Sequence, residues 1–278
     1  MFKVCFLSSA VRCQPLSRAL AIFRGGGVES NDLMRKINSF AQRSFRDNAD
    51  RDYIHARMAY RAELYPQFLW SSLHALEKYA KCILILTRTE RVHIKKKQFD
   101  DVGHEVLKAL ELLKNKVDIN LSEQTLDFIK RLGNGARFRY LEVSWHAEQA
   151  ELTILDRAVW ELRRYCNSGL YCYKNSPETQ CVDSKILPLK DIVNLTHENT
   201  YIPDGRIEKL LKLRSNPARK ELVWNNLYYS NSNRKIVLIK SNFMAENSSF
   251  FLYPELLDEV VKYTRVPKEI INSYKQNS

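Results

Sequence analysis

The chain has 278 residues, and its 44 Lys and Arg against 32 Asp and Glu give a formal net charge of +12. A hydrophobic content of 45% excludes a disordered chain, and the counts of 8 Gly and 8 Pro exclude a collagen-like or other Gly/Pro-rich protein. The basic excess is compatible with a polyanionic partner such as RNA, a nucleotide or a membrane surface. Because no apolar run is long enough to span a bilayer, we expect no membrane partner. The sparse cysteines favour reduced thiols and hence a cytoplasmic protein.

The first 46 residues are predicted to lie outside the folded part of the chain. Four basic residues and no acidic one precede Glu29, and the run Gly25-Gly26-Gly27 falls within the same segment. Such a composition is compatible with a transit peptide. The interpretation we favour is an over-extended gene start with Met34 as the initiator. In either case we expect residues 1–46 to be a disordered segment or to contain a mis-annotated start, and not to belong to the helical domain.

Residues 47–168 are predicted to form an all-helical domain, because apolar side chains recur there at helical spacing. The five predicted helices cover Asp47–Leu64, Pro66–Thr87, Gly103–Leu113, Ser122–Leu132 and His146–Cys166. In the first of them, polar residues that include Asp50 and Arg57 alternate with apolar ones. The second begins at Pro66, which suits the first turn of a helix, and a basic loop at residues 88–97 follows it.

Residues 169–278 are predicted to form a smaller, mixed α/β extension. A β-branched run flanked by turn-forming residues predicts a strand at Lys235–Lys240. Helices are predicted in four segments, at residues 187–195, 206–213, 254–264 and 267–276. The expected fold is therefore mainly α, with a helical bundle that carries a mixed C-terminal region.

Neither a metal nor a cofactor is predicted. The 6 cysteines are too sparse for a disulfide scaffold. The one cluster, Cys166, Cys172 and Cys181, lacks the short Cys-x-x-Cys pairs of a zinc site, so reduced thiols are expected. The chain also has no Gly-rich phosphate loop and no Gly-Ser followed by closely spaced Asp residues, the pattern of a nucleotidyltransferase active site. It would at most be the partner of such an enzyme.

Three short pieces of sequence resemble one known family. They are the run of Asp50-Arg51-Asp52-Tyr53-Ile54-His55-Ala56-Arg57, the run "ALEKYAK" at residues 75–81 and the run "GHEVLK" at residues 103–108. Together they resemble the HEPN family, the helical domain of nucleotidyltransferase partners and RNase toxins. The resemblance covers residues 47–166 and implies an up-and-down bundle of four or five helices that binds RNA or nucleotides. It also implies a homodimer, a nucleotidyltransferase partner protein, and a role in a toxin–antitoxin or defence system.

The resemblance also implies candidate catalytic residues. Active family members place an Arg and a nearby His before the last long helix, and Arg139 and His146 occupy that place here. The His would move a proton of the RNA 2′-hydroxyl, and the Arg would stabilise charge that develops on the phosphate, so no metal is needed. The alternative is that Arg139 pairs with Glu142 or Glu148, while His146 caps the last helix.

Candidate contacts to RNA or a nucleotide come from two helices and the basic loop. These residues are Lys78, Lys81, His104, Arg88, Lys95, Lys96 and Lys97. For each, a plainer interpretation stands beside the functional one. Glu77 and Lys81 have the spacing of a helical ion pair, His104 could make only local hydrogen bonds, and a basic run is often a solvated face.

Three functions follow from these observations. The first is a non-catalytic or regulatory module that binds RNA or a nucleotide. The second is a metal-independent endoribonuclease that uses Arg139 and His146, and the third is a protein-interaction or dimerisation module. Residues 204–240 hold nine basic against three acidic residues, so any polyanion contact is expected to involve the C-terminal region or the loop at residues 88–97.

Overall fold

A computed structural model describes ten stretches of the chain. They are residues 27–89, 93–94, 98–99, 106–114, 116–135, 144–147, 150–167, 205–230, 236–237 and 244–275. These residues are mainly helical, which confirms the predicted fold class at that level. Among them, no helix combines the length and the apolar character needed to cross a bilayer.

The described residues form eleven α-helices and four short strands. The helices are α1 (Gly27–Ala41), α2 (Asp47–Arg61), α3 (Tyr65–Leu86), α4 (Val106–Leu113), α5 (Glu123–Gly135), α6 (Glu151–Arg163), α7 (Arg206–Lys212), α8 (Pro217–Val223), α9 (Ser249–Leu252), α10 (Leu257–Val260) and α11 (Lys268–Lys275). A π-helical turn, Gln42–Arg46, joins α1 to α2, and a 3-10 turn, Pro254–Leu256, precedes α10. The strands form two antiparallel pairs, β1 (His93–Ile94) with β2 (Gln98–Phe99) and β3 (Trp145–Ala147) with β4 (Met244–Glu246).

Helix α3 is the centre of the bundle. Its 22 residues carry apolar side chains on nearly every face, and it packs against α1, α2, α4, α5 and α6. Leu73, Leu76, Tyr79 and Ile83 are completely buried in the shared core. A helix that is apolar almost all round is stable only when other helices surround it, so the composition of α3 fixes its central place.

The segment that precedes α2 belongs to the fold, contrary to the prediction. Residues 27–46 are helical, and Ala41 is completely buried in the core. Arg88, at the end of α3, donates hydrogen bonds to Asn38 Oδ1 at 2.9 Å and to the Met34 carbonyl at 3.3 Å. The expectation of disorder is thus wrong for residues 27–46, while residues 1–26 lie outside the described part.

Helix α6 begins later than its predicted start at His146. Residues 145–147 instead form β3, in which His146 lies opposite Ala245 of β4. Ala150 then adopts a left-handed conformation with a φ of 68°, which cannot continue into a helix, so α6 begins at Glu151. Of the strand predicted at Lys235–Lys240, the structure describes only Ile236 and Val237, and these two residues have no regular secondary structure.

Part of the predicted C-terminal extension is built into the bundle. Ile207, Leu210, Leu222 and Tyr229 are buried in the same core as α2, α3 and α6. A second, smaller core forms farther along the chain from Phe250, Leu257, Val266 and Ile270. The predicted boundary near residue 169 therefore does not separate residues 205–229 from the helical bundle.

Two buried cysteines lead to a first prediction. Cys82 of α3 and Cys166, just after α6, are free thiols with no exposed surface, and burial raises the pKa of the Cys166 thiol well above its ordinary value. Because the thiolate is the reactive form, both should resist iodoacetamide in the native protein and react fully in urea. Mass spectrometry of the two cysteine peptides measures this. If Cys166 in the native protein were alkylated as fast as a solvent-exposed thiol, the packing of this region would be contradicted.

Candidate functional site

A guanidinium that binds two carboxylates lies in the middle of the bundle. Arg163 of α6 donates to both oxygens of Asp50, at 2.7 and 2.9 Å, and to both oxygens of Glu208, at 2.7 and 2.8 Å. Tyr79 donates a further hydrogen bond to Asp50 at 2.7 Å. Burial would lower the pKa of Arg163, but Asp50 and Glu208 outweigh that effect and raise it well above its ordinary value. We call these four residues the Arg163 network.

Gly205 is required where α7 enters this network. A Cβ at that position would lie 2.8 Å from Arg163 Nη2 and closer still to the Glu208 carboxylate. A larger residue would force the buried ion pair to shift, whereas glycine lets the backbone pass this near without disturbing it. The start of α7 is therefore held directly against the buried charges of α2 and α6.

A second buried group, the Arg57 network, joins α2, α6 and α8. Arg57 pairs with Asp156, and it donates to the carbonyls of Glu221, at 2.9 Å, and Trp224. Tyr53 donates to Asp156 at 2.6 Å and accepts a hydrogen bond from Asn226 at 2.8 Å. Burial, with the Asp156 carboxylate, raises the pKa of Tyr53 well above its ordinary value, so the phenol stays protonated and donates.

Both networks are buried too deeply to meet a substrate. The side chains of Arg57 and Arg163 have no exposed surface, and that of Asp156 is 2% exposed. Their hydrogen bonds run to other buried side chains and to backbone carbonyls, so they position α7 and α8 on the bundle. A ligand would therefore meet exposed side chains, such as those on the outer side of α7 and α8, and not the networks themselves.

The outer side of α7 and α8 is strongly basic. Residues 206–220 contain six basic residues and one acidic residue, Glu208, whose charge is engaged by Arg163 inside the protein. Four of the basic side chains are exposed, namely Lys209, Lys212, Arg214 and Lys220. We call these four the basic surface.

The turn between α7 and α8 is well ordered by its own side chains. Asn216 Oδ1 accepts a hydrogen bond from the Ala218 amide at 3.0 Å and so caps α8, which then begins with Pro217. Arg219 reaches back to the Leu211 carbonyl at 2.9 Å and ties α8 to α7. Arg214 and Lys220 are therefore presented on a defined framework.

An arginine and a tryptophan lie together at the end of the basic surface. Trp224 follows α8, and its amide donates to the Lys220 carbonyl, one helical turn earlier, at 3.1 Å. The Arg61 guanidinium lies over the Trp224 ring, 5.3 Å from its centroid. Arg61 also donates to Glu221 at 2.8 Å, and its side chain remains 47% exposed. Neither Arg61 nor Trp224 was singled out from the sequence.

The structure places two of the predicted contact residues in ion pairs. Lys78 pairs with Asp52 of α2, and Lys81 pairs with Glu77 at 2.5 Å within α3. The plainer interpretation of Glu77 and Lys81 as a helical ion pair is thus the one observed. Arg88 is half-buried, and besides its bonds to α1 it donates to the Ile85 carbonyl at 2.6 Å. The positive charges of Lys78 and Lys81 are balanced where they lie.

The remaining predicted site residues are not brought together by the described part of the structure. His146 is exposed on β3, and Arg139 lies outside the described residues. The same is true of His104 and of Lys95, Lys96 and Lys97, which follow β1 in the sequence. Elsewhere, within the stretches that the structure covers, no group of three or more His, Cys, Asp or Glu could hold a metal ion.

Comparison with protein-family models, with curated proteins and with solved structures finds no match to this chain.

Proposed function

We propose that this protein is a HEPN-like, non-catalytic RNA-binding module that holds RNA on the basic surface of α7 and α8. The observation that carries the proposal is the exposure of Lys209, Lys212, Arg214 and Lys220 on helices that two buried networks fix to the bundle. The resemblance of residues 47–166 to the HEPN family supports the same function. A homodimer, a nucleotidyltransferase partner and a toxin–antitoxin role belong to this proposal as further parts.

The placement of charges favours the basic surface over the lysines of α3 as the contact for RNA. Lys78 and Lys81 of α3 pair with Asp52 and Glu77, and Glu208, the one acid of residues 206–220, binds Arg163 inside the protein. A group of exposed cations attracts phosphates, and counterions are released when the phosphates bind. Because the two helices are already fixed to the bundle, less conformational entropy is lost when RNA binds.

Removal of the basic surface should weaken RNA binding. Lys209, Lys212, Arg214 and Lys220 are changed to Ser together, and affinity for a single-stranded RNA is measured by fluorescence anisotropy at several salt concentrations. We expect a loss of about tenfold or more, and a fall of about 3 in the slope of log affinity against log salt, since four phosphate contacts disappear.

A matched variant controls for net charge. Arg35, Lys114, Lys116 and Lys130 are also three lysines and one arginine, and all are exposed on other parts of the bundle. Their replacement by Ser changes the net charge by the same amount and should leave most of the affinity intact. Equal losses in the two variants would contradict a specific surface, and no RNA binding by the wild type would refute the proposal.

The endoribonuclease alternative rests on the exposed position of His146. The same binding reactions decide between the two functions when they are repeated with a chelator and analysed on a gel. A binding module leaves the RNA at full length. A metal-independent nuclease that uses Arg139 and His146 cleaves it, and the cleavage disappears in His146→Ala. The interaction-module alternative predicts self-association, measured by light scattering, without any RNA binding.

A further inference from the structure

We propose that Arg61 and Trp224 form a stacking site for an unpaired base, so that the ligand of this protein is single-stranded RNA. This inference rests on the proposed function. It concerns the contact to the bases and not the contact to the phosphates, and it uses residues that the basic surface does not include.

The stacking site adjoins the basic surface directly. Lys220 is exposed, and Trp224 lies one helical turn after it on the same helix end. A phosphate held by Lys220 would therefore bring the next part of the nucleotide chain towards the Trp224 ring. The two features can engage one strand together.

The two side chains offer flat surfaces of the kind that bind bases. Bases stack on aromatic rings and on arginine guanidinium planes, and this stacking does not depend strongly on sequence. Trp224 packs against the core and is partly exposed, so its ring is held in place. Arg61 covers the ring from one side, while almost half of the Arg61 side chain remains accessible to solvent.

The contribution of Arg61 is its shape more than its charge. Glu221 accepts a hydrogen bond from Arg61 at 2.8 Å and balances its positive charge, and the same bond holds the guanidinium at the Trp224 ring. A duplex, in which the bases are already stacked and paired, could not use this site. A strand with unpaired bases could use it together with the basic surface.

The test compares three labelled probes, each 12 units long. They are oligouridylate, an abasic ribose-phosphate strand and an RNA duplex. The wild type should bind oligouridylate about tenfold or more tightly than the abasic strand, in line with the stacking of one base. In Trp224→Leu, which keeps an apolar group against the core, this advantage should be lost, while Trp224→Phe should retain most of it.

Arg61→Lys separates shape from charge. Lysine keeps the positive charge and can still pair with Glu221, but it has no guanidinium plane. We expect weaker oligouridylate binding, unchanged abasic-strand binding and an unchanged salt dependence. Trp160→Leu, the same chemical change on α6, serves as a control and should bind all probes as the wild type does. Arg61→Lys also provides the answer if Trp224→Leu does not fold.

The outcomes separate this inference from the proposed function. If oligouridylate and the abasic strand bind equally well to the wild type, or if Trp224→Leu and Arg61→Lys both bind as the wild type does, the stacking site is refuted and the basic surface stands. Preference for the duplex also refutes it. If no probe binds, the proposed function fails and this inference fails with it.

Discussion

Replacement of Arg163 by Met is expected to reduce the free energy of unfolding by about 3–5 kcal/mol, the range found when one partner of a buried ion pair is removed. The variant would leave the carboxylates of Asp50 and Glu208 in the interior, where Arg163 now donates two hydrogen bonds to each of them. Urea unfolding followed by circular dichroism measures the change.

Two further variants make this prediction specific. Arg35→Met removes an exposed arginine from α1 and should change the stability by less than about 0.5 kcal/mol. Asp50→Asn and Glu208→Gln added to Arg163→Met should recover part of the loss, because neutral amides cost less to bury than unpaired carboxylates. A loss below about 1 kcal/mol in Arg163→Met would show that the carboxylates reach water.

Replacement of Arg57 by Met is expected to have an effect of similar size, about 3–5 kcal/mol. Arg57 is the counter-charge of Asp156, and it also satisfies the carbonyls of Glu221 and Trp224. Its loss should therefore loosen the end of α8 before the rest of the bundle unfolds. Hydrogen exchange of the backbone amides of residues 218–226, compared with those of α3, measures this difference.

Arg57→Lys and Tyr53→Phe control for charge and for a single hydrogen bond. Lysine keeps the positive charge but cannot reach three acceptors with a planar fork, so we expect it to restore only part of the stability. Tyr53→Phe removes the bond to Asp156 at 2.6 Å and should cost about 1–3 kcal/mol. Equal protection of α8 in the wild type and in Arg57→Met would disprove the role assigned to Arg57.

The amphipathic helices of this protein could be predicted from its sequence with good accuracy. The predicted segments Pro66–Thr87 and 206–213 correspond to α3 and α7, with no end displaced by more than one residue. In α7 apolar side chains repeat with the helical period because one side faces the core, and in α3 they cover nearly every face because other helices surround it, so each pattern reports burial. The start of α6 was wrong because the left-handed conformation of Ala150 leaves no mark in the composition.

The buried charges were the hardest feature to predict. Asp50 and Arg57 were assigned to the polar residues of the first helix, since charged side chains are seldom buried. The sequence indicates this burial only through spacing. Asp50, Tyr53 and Arg57 recur every three or four residues and therefore share one side of α2. Their partners Arg163 and Asp156 are more than ninety residues away in the sequence, and only the fold brings them together.

The candidate site was only partly foreseen. The excess of basic residues after residue 204 pointed to the region that holds the basic surface. That Glu208 of α7 is buried against Arg163 cannot be predicted without the position of Arg163 in the fold. Arg61 and Trp224 were not identified, because 163 positions separate them and neither belongs to a recognisable motif.

The Arg163 network also constrains how this sequence can evolve. Asp50 and Glu208 are 158 positions apart in the sequence, yet both depend on one guanidinium, and Gly205 leaves room for it. A change at any one of these positions leaves a charge or a clash that the others must correct. Viable descendants therefore have to alter the set together, and coordinated replacement at residues 50, 163, 205 and 208 would be the trace of that constraint in diverged relatives.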